Sequence, residues 1–390
     1  MPRYFLFFLL YFSCIKESIL FLFEVNEEKG FPLMSIEMGS QKFKVGFDTG
    51  TQYSWLRSVE TDGHQENISY YDHNKSQTFE PTVYSYELYP EKNVVANKFT
   101  DDLKFQKQKY RVKWLVTRSL IKNNGYDGIF GFPSGPSEYN NFSYKEKIMS
   151  YYHINSSSSL VSFGEYAHEI FQDRKLNLMK CQSDTSSEDI SLLWNCKIKY
   201  TSHNTTLPAN DKTTYAIFST VMDKIYIPKS YEKVLEQYFA KKKDNCHLII
   251  EEGNNLQTYT CVFDSDAANQ IKKMDVFQII LENDIELFAF PFNLFTLVDN
   301  ETISFNIIID TTLSQNLWYI GTPILKNFDY IFNYEDKTIS FFERGRIDVY
   351  LTMNLLEFGV ITVIGIIIYI GYKIAKKISD KKEKEKEHIQ

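Results

Sequence analysis

The residues best suited to chemistry lie in the segment FDTGTQYSWL at residues 47–56. Asp48 ends a largely hydrophobic run, and Thr49 and Gly50 follow it directly. A carboxyl group held at the end of a strand on a tight turn is suited to general acid–base work on a bound water or carbonyl group. Because Asp-Thr-Gly also occurs in ordinary turns, the tripeptide needs support from the segments around it.

Six segments, in a consistent order along the chain, resemble those of the pepsin-like aspartic peptidases. They are FDTGTQYSWL at Phe47, MSIEMGSQKFKVG before it at Met34, SQTF at Ser76, YDGIFGF at Tyr126, LVSFGEY at Leu160 and WYIGTPILKNFDYIFNYEDKTISFF at Trp318. The resemblance covers nearly all of the chain from about residue 30 to 343. It implies a mainly β, two-lobed pepsin-like fold with a central cleft, and a peptide or protein ligand.

The resemblance assigns roles to individual residues of the cleft. Asp48 corresponds to the first catalytic aspartate, and Thr49, Gly50 and Thr220 correspond to the loop residues beside the substrate. Tyr89 corresponds to the tyrosine of a flap that covers the ligand, although PEKN replaces the glycine-rich tip after it. The alternative for Tyr89 is an exposed strand aromatic in a chain with 27 tyrosines.

The second catalytic aspartate is missing from the position that the resemblance assigns to it. In YAIFSTVMDKIYIP, which begins at Tyr215, Ser219 stands where the acid belongs. Two carboxyl groups that share a proton allow one to act as base while the other donates. A serine hydroxyl cannot share a proton with Asp48 in this way. Val221 replaces the turn glycine, and we expect it to impair the loop further.

Two other acids are weighed as substitutes for the missing aspartate. Asp310 in IIIDTTLS resembles an aspartate loop, but it lies too close to Gly321 of the YIG element that is threaded behind the second loop. It is therefore interpreted as a strand-end residue. Asp223 lies four positions after Ser219 and would project from the far side of the loop unless the backbone is rebuilt.

The sequence is compatible with two functions. The favoured one is a pseudo-peptidase that binds peptide or glycan in its cleft, and the alternative is an active aspartic endopeptidase with a non-standard second acid. The seven histidines show no metal-ligand spacing, and the sequence has no phosphate-binding glycine loop and no Gly-x-Ser-x-Gly motif. We therefore expect no metal and no cofactor.

The pattern of short apolar and alternating runs predicts a mainly β protein. The N-terminal lobe is placed at residues 25–180 and the C-terminal lobe at 190–345, with the polar stretch at 182–189 as the boundary or a mobile loop. Two helices are predicted, over SYEKVLEQYFAKKK at 230–243 and around 144–152.

The two ends of the chain predict a single-pass type I membrane protein. Residues 1–14 match a signal peptide, although a buried first strand is the alternative. Residues 355–372 are long and apolar enough for one transmembrane helix through the lipid bilayer. The lysine-rich tail at 373–390 then lies in the cytosol by the positive-inside rule.

The cysteines and glycosylation sequons agree with export to an oxidising compartment. Neighbouring cysteines predict disulfides Cys181–Cys196 and Cys246–Cys261, with free buried thiols as the alternative. The six sequons are Asn67, Asn74, Asn141, Asn155, Asn204 and Asn300. All six precede the predicted transmembrane helix.

The composition and net charge of the chain exclude some classes of function. The 390 residues are 43% hydrophobic, which is enough for a sizeable core. Their formal net charge is -7, and no basic block occurs before about residue 340. A nucleic-acid partner is therefore excluded.

Overall fold

The chain is mainly β and forms two lobes. The computed structural model describes residues 19–25, 30–61, 63–87, 95–105, 108–118, 125–135, 148–153, 158–163, 178–185, 190–201, 213–240, 244–250, 255–264, 266–314 and 316–343. All of these residues lie in one compact unit that ends at Glu343.

The described strands are numbered in chain order. They are β1 Ile19–Val25, β2 Pro32–Met38, β3 Gln41–Asp48, β4 Trp55–Arg57, β5 Glu80–Glu87, β6 Val95–Phe105, β7 Gln108–Thr117, β8 Gly128–Gly131, β9 Ile148–His153, β10 Ser158–Phe163, β11 Leu178–Gln182, β12 Asn195–Thr201, β13 Thr214–Phe218, β14 Ile225–Pro228, β15 Cys246–Ile250, β16 Leu256–Val262, β17 Phe277–Leu281, β18 Glu286–Ala289, β19 Phe295–Leu297, β20 Thr302–Asp310, β21 Leu317–Ile320, β22 Phe328–Asn333 and β23 Thr338–Glu343.

The larger sheet has the strand order β11-β23-β22-β9-β10-β1-β2-β3-β8-β4-β7-β6-β5. Strand β2 also pairs with β6, so the part from β2 to β6 closes on itself like a barrel. The remaining part, from β11 to β1, combines strands from both ends of the chain. The last strands, β22 and β23, therefore belong to the sheet that carries Asp48.

The smaller sheet has the order β15-β16-β20-β14-β21-β13-β12-β17-β18, and β19 pairs with β20 outside this path. Its central strands are almost fully buried: every residue of β13, TYAIF, is inaccessible to solvent or nearly so. This burial on both faces explains why β13 reads as a continuous rather than an alternating apolar run. Three tryptophans, Trp114, Trp194 and Trp318, are the largest side chains buried in the core.

The described α-helices are short. They are α1 Glu232–Phe239, α2 Ala267–Ile271, α3 Pro291–Leu294 and α4 Thr322–Leu325, and one-turn 3-10 helices occur at His73–Lys75, Lys229–Tyr231 and Glu282–Asp284. Helix α1 confirms the helix predicted from SYEKVLEQYFAKKK, and it buries Val234, Leu235, Tyr238 and Phe239 against the core.

The helix predicted around residues 144–152 is wrong where the structure describes it. Residues Ile148–His153 form β9, which pairs with β10 on one side and β22 on the other. Met149, Ser150 and Tyr151 are all fully buried. The pairing with two distant strands overrides the weak local pattern, because a strand with both neighbours and both faces covered gains more than an isolated short helix.

Both predicted disulfides are confirmed. Cys181–Cys196 joins β11 of the larger sheet to β12 of the smaller one, and Cys246–Cys261 links directly opposed residues of β15 and β16. The first bond therefore fastens the two sheets to each other, while the second closes a hairpin.

Peptide mapping of the non-reduced protein is expected to recover these two bonds and no others among the four cysteines. Each bond closes a loop with a sequence separation of 15, for which the chain-entropy model gives about 3 kcal/mol of stabilisation. A peptide that joins Cys181 to Cys246, or alkylation of all four thiols without reduction, would contradict this pairing.

None of the helices in the described part of the chain is long and apolar enough to cross a membrane. The predicted signal peptide at 1–14, transmembrane helix at 355–372 and tail at 373–390 all lie outside the described residues.

Candidate functional site

Asp48 is placed by a strand whose pattern is easily read from the sequence. In β3, Phe43, Val45 and Phe47 are buried, and Asp48 is the last residue of the strand. Strand β3 runs parallel to β8, and the Phe132 N–H donates to the Asp48 carbonyl oxygen at 2.6 Å. The carboxyl group therefore lies at the end of a pair of buried parallel strands.

Ser219 occupies the corresponding place in the smaller sheet. It directly follows β13, which runs parallel to β21. The Ser219 N–H donates to the Ile320 carbonyl oxygen at 3.0 Å, so the loop is held by the end of β21. The same arrangement of two parallel strands and a following loop thus occurs once in each sheet.

The two loops are tied together by their threonines. Thr49 Oγ1 donates to the Phe218 carbonyl oxygen at 2.7 Å, and Thr220 Oγ1 donates to the Phe47 carbonyl oxygen. The Thr49 N–H also donates to Thr220 Oγ1 at 3.3 Å. Both threonines are buried, and each hydroxyl donates directly to a backbone carbonyl oxygen of the opposite lobe.

Gly50 allows the loops to approach closely. A Cβ atom added at Gly50 would lie 2.6 Å from Ser219 Cβ and 2.9 Å from Ser219 Cα. Because both of these are atoms at or next to the backbone, a side chain at position 50 would force the loops apart.

The structure brings Asp48 and Ser219 into direct contact. Ser219 Oγ donates to Asp48 Oδ1 at 2.8 Å, and the Gly50 N–H donates to the same oxygen at 2.9 Å. Asp48 is only 4% exposed, and Ser219 is fully buried. The carboxyl group therefore faces a hydroxyl donor, and no second carboxyl is among its hydrogen-bond partners in the described residues.

Burial raises the pKa of Asp48 to about 6, because the charged form is desolvated. Hydrogen bonds from the Gly50 N–H, the Ser219 hydroxyl and the N–H groups of Thr220 and Val221 stabilise the carboxylate and lower the pKa in part. The site can thus hold or release one proton near pH 6, and it has one acid to do so.

Val221 has a different consequence from the one expected. Its φ is not positive, so the loop turns without a glycine at this position. Its side chain packs against a cluster from the first half of the chain that includes Trp55, Tyr126 and Ile129. Rather than impairing the loop, this valine contributes an apolar contact between the lobes.

The IFG segment at residues 129–131 and the YIG segment at residues 319–321 each make close contacts with the backbone of a loop. A Cβ added at Gly131 would collide with the Tyr53 carbonyl oxygen, and one added at Gly321 would collide with the carbonyl oxygens of Met222 and Lys224. Each element therefore passes so near a loop backbone that only glycine fits.

The two acids considered as substitutes, Asp310 and Asp223, form no carboxyl pair with Asp48. Asp310 ends β20, as predicted, and its Oδ1 accepts hydrogen bonds from the N–H of Thr312 at 2.8 Å and from its hydroxyl at 2.5 Å. Asp223 is partly exposed on the segment between Ser219 and β14. Neither is among the hydrogen-bond partners of Asp48.

Tyr319 is a residue of the site that the sequence interpretation did not single out for chemistry. It is buried, and its pKa is raised by desolvation first and then by the negative charges of Asp48 and Asp310. The sequence signal for it was that a tyrosine begins YIG at 319–321, whereas an isoleucine begins the corresponding IFG at 129–131. The tyrosine brings a neutral phenol within electrostatic range of both acids.

The remaining predicted site residues are the flap tyrosine and the glycosylation sequons. Tyr89 lies outside the described residues, between the antiparallel strands β5 and β6. The described sequons, Asn67, Asn74 and Asn300, are exposed. The sequons Asn141, Asn155 and Asn204 lie outside the described residues.

Two cavities of about 650 and 680 Å³ open in the first half of the chain, and neither is lined by Asp48 or Ser219. In the part of the chain that is described, no group of three or more His, Cys, Asp or Glu side chains is arranged to hold a metal ion.

No protein-family model matches the chain, and no curated protein matches it.

Proposed function

We propose that the chain is a membrane-anchored relative of the pepsin-like aspartic peptidases that has lost catalysis and binds a peptide segment in the cleft between its lobes. The observation that carries the proposal is the pair formed by Asp48 and Ser219. Ser219 Oγ donates to Asp48 Oδ1 at 2.8 Å, at the place where a peptidase needs a second carboxyl group.

The chemistry of this pair argues against peptide hydrolysis. Hydrolysis by this type of site needs one carboxylate to take a proton from water while a second, protonated acid donates to the scissile carbonyl. The Ser219 hydroxyl does not ionise at the relevant pH, and its proton is directed toward Asp48. One half of the proton transfer therefore has no group to perform it.

The surrounding structure is in keeping with a two-lobed scaffold whose loops still meet. Two parallel strand pairs, β3 with β8 and β13 with β21, present their loops to each other, and Thr49 and Thr220 hold the loops together. Loss of the acid has thus left the scaffold around it well packed. The disulfides and exposed sequons are in keeping with an exported ectodomain.

The full-length chain is expected to show no hydrolysis of denatured protein between about pH 3 and 6, where a shared-proton dyad works. Asp48→Ala is then expected to leave the background unchanged. In the same samples, a pool of fluorescent synthetic peptides is expected to bind the chain without being cleaved. Fluorescence anisotropy measures this binding. Robust cleavage that Asp48→Ala abolishes would instead show an active endopeptidase.

The double variant Ser219→Asp with Val221→Gly supplies the matched positive control. It supplies the second carboxyl group and, with loss of the Val221 contact, the glycine of the family's turn, so measurable cleavage is expected in the acid range. The triple variant that also carries Asp48→Ala should lose this cleavage, which separates a restored dyad from contaminating peptidase.

A further inference from the structure

The smaller sheet carries an exposed aromatic pair beside the short helix α3. Phe292 is 70% exposed and Phe290 is 37% exposed, and their rings stack with centroids 5.5 Å apart. The surrounding run LFAFPFNLFTLV at residues 287–298 contains no charged residue. An apolar, charge-free projection of this kind marks a contact surface. Both large rings are exposed to water, and their burial against another surface would be favourable.

The backbone that carries the pair is held by side-chain hydrogen bonds. Asn293, which directly follows Phe292, is buried, and its Nδ2 donates to Asn327 Oδ1 at 3.0 Å. Asn327 Nδ2 donates to the Phe288 carbonyl oxygen at 2.7 Å. The two rings are therefore presented by a fixed backbone, which lowers the entropy cost of binding.

The pair lies close to the point where the chain leaves the described fold. The Phe288 ring contacts both Phe290 and Phe328, with centroid distances of 5.0 and 5.1 Å. Phe328 is the register partner of Glu343, the last residue of β23. Residues 344–354 then lead to the predicted transmembrane helix, and these roughly eleven residues reach at most about 38 Å.

We propose that Phe290 and Phe292 insert into the headgroup region of the bilayer to which the chain is anchored. The inference rests on the predicted anchor of the proposed function. Aromatic side chains are favoured at the membrane interface, and the uncharged run around them allows insertion without dehydrating a charge. The short tether keeps this surface at high local concentration near the lipid, so a weak individual contact suffices to orient the ectodomain.

The test uses the full-length chain reconstituted in liposomes, with Phe292→Trp as a local probe. The matched control is Ile250→Trp, at a residue that is 62% exposed on β15, the opposite edge of the smaller sheet from β18. The four natural tryptophans contribute the same background to both variants. Thermal unfolding verifies that each variant retains the wild-type fold.

Brominated lipids, which quench tryptophan at short range, are expected to reduce the emission of the probe at position 292 by about half and to leave that of the control unchanged. Equal quenching at both positions, or none at position 292 in a chain that resists alkaline carbonate extraction, would overturn the proposal while the anchor stands. A blue-shifted but unquenched probe would also overturn it, since protein would then cover the pair. Release of the chain by carbonate would refute the anchor itself and the proposal with it.

Discussion

Replacing Asp48 with asparagine is expected to raise the free energy of unfolding at pH 7 by up to about 3 kcal/mol. Asp48 has a pKa of about 6 in the folded chain against an ordinary value of 3.8, because burial disfavours its charged form. At pH 7 the folded protein must therefore keep a desolvated carboxylate that the unfolded chain exposes to water. Asparagine removes the charge and leaves its Oδ1 able to accept from Ser219 and Gly50, whereas its Nδ2 cannot accept from the N–H groups of Thr220 and Val221, which makes this value an upper bound.

The pH dependence of this effect has a defined direction. Below about pH 3.8 the carboxyl group is protonated in both states and contributes no difference. As the pH rises from 3.8 to about 6, the unfolded chain releases the proton first, so stability falls, and the full penalty is present above about pH 6. The difference in stability between Asp48→Asn and the wild type should therefore grow across this window and then stay constant.

Chemical denaturation of the full-length chain at a series of pH values measures this difference. Ser219→Ala provides a control of opposite sign, because it removes a hydrogen bond that lowers the pKa of Asp48. That variant should lose more stability at pH 7 than at pH 3, since hydrogen bonds to charged groups contribute more than those to neutral ones. A constant difference between Asp48→Asn and the wild type from about pH 3 to 8 would show that Asp48 is not a desolvated acid.

Gly321→Ala is expected to cost more than about 4 kcal/mol and to prevent accumulation of folded protein. The added Cβ would collide with the carbonyl oxygens of Met222 and Lys224 and would lie 3.0 Å from the Met222 carbonyl carbon. These backbone atoms cannot easily withdraw, because the Thr322 N–H donates to the Met222 oxygen at 2.8 Å. Resistance to limited proteolysis and the yield of soluble chain measure the loss.

Gly135→Ala is the matched control for this substitution. There the added Cβ would meet Leu192 Cδ2 at 3.0 Å and Lys337 Nζ at 3.7 Å, both of which are ends of flexible side chains. A change of less than about 1 kcal/mol is expected. If Gly321→Ala behaved like Gly135→Ala, the close passage of the YIG element behind the Ser219 loop would be wrong.

Local sequence was sufficient where a single segment carries its own pattern. Helix α1 follows from the spacing of Val234, Leu235 and Phe239, and both disulfides follow from the nearest cysteines along the chain. The strand-end position of Asp310 also agrees with its place at the end of an apolar run. In each case the deciding interactions join residues that are close in sequence.

Pairing between distant segments decided what local pattern could not. Residues 148–153 lack a strong periodicity, and strands β10 and β22 on either side make them a strand. Val221 looks damaging when it is compared with a turn glycine, yet it packs against a cluster from the other half of the chain that includes Trp55 and Ile129.

The amino-acid sequence determined that a serine follows the apolar run TYAIF, and the resemblance of the surrounding segments predicted that this serine faces Asp48. The raised pKa of Asp48, the donor direction of the Ser219 hydroxyl and the effect of Asp48 and Asp310 on the pKa of Tyr319 follow only from the folded chain. These properties arise from desolvation and from hydrogen bonds between residues 171 positions apart. The Gly50 N–H donates from the same turn, but desolvation and the Ser219 hydrogen bond are set by the atoms that tertiary packing brings around the carboxyl group.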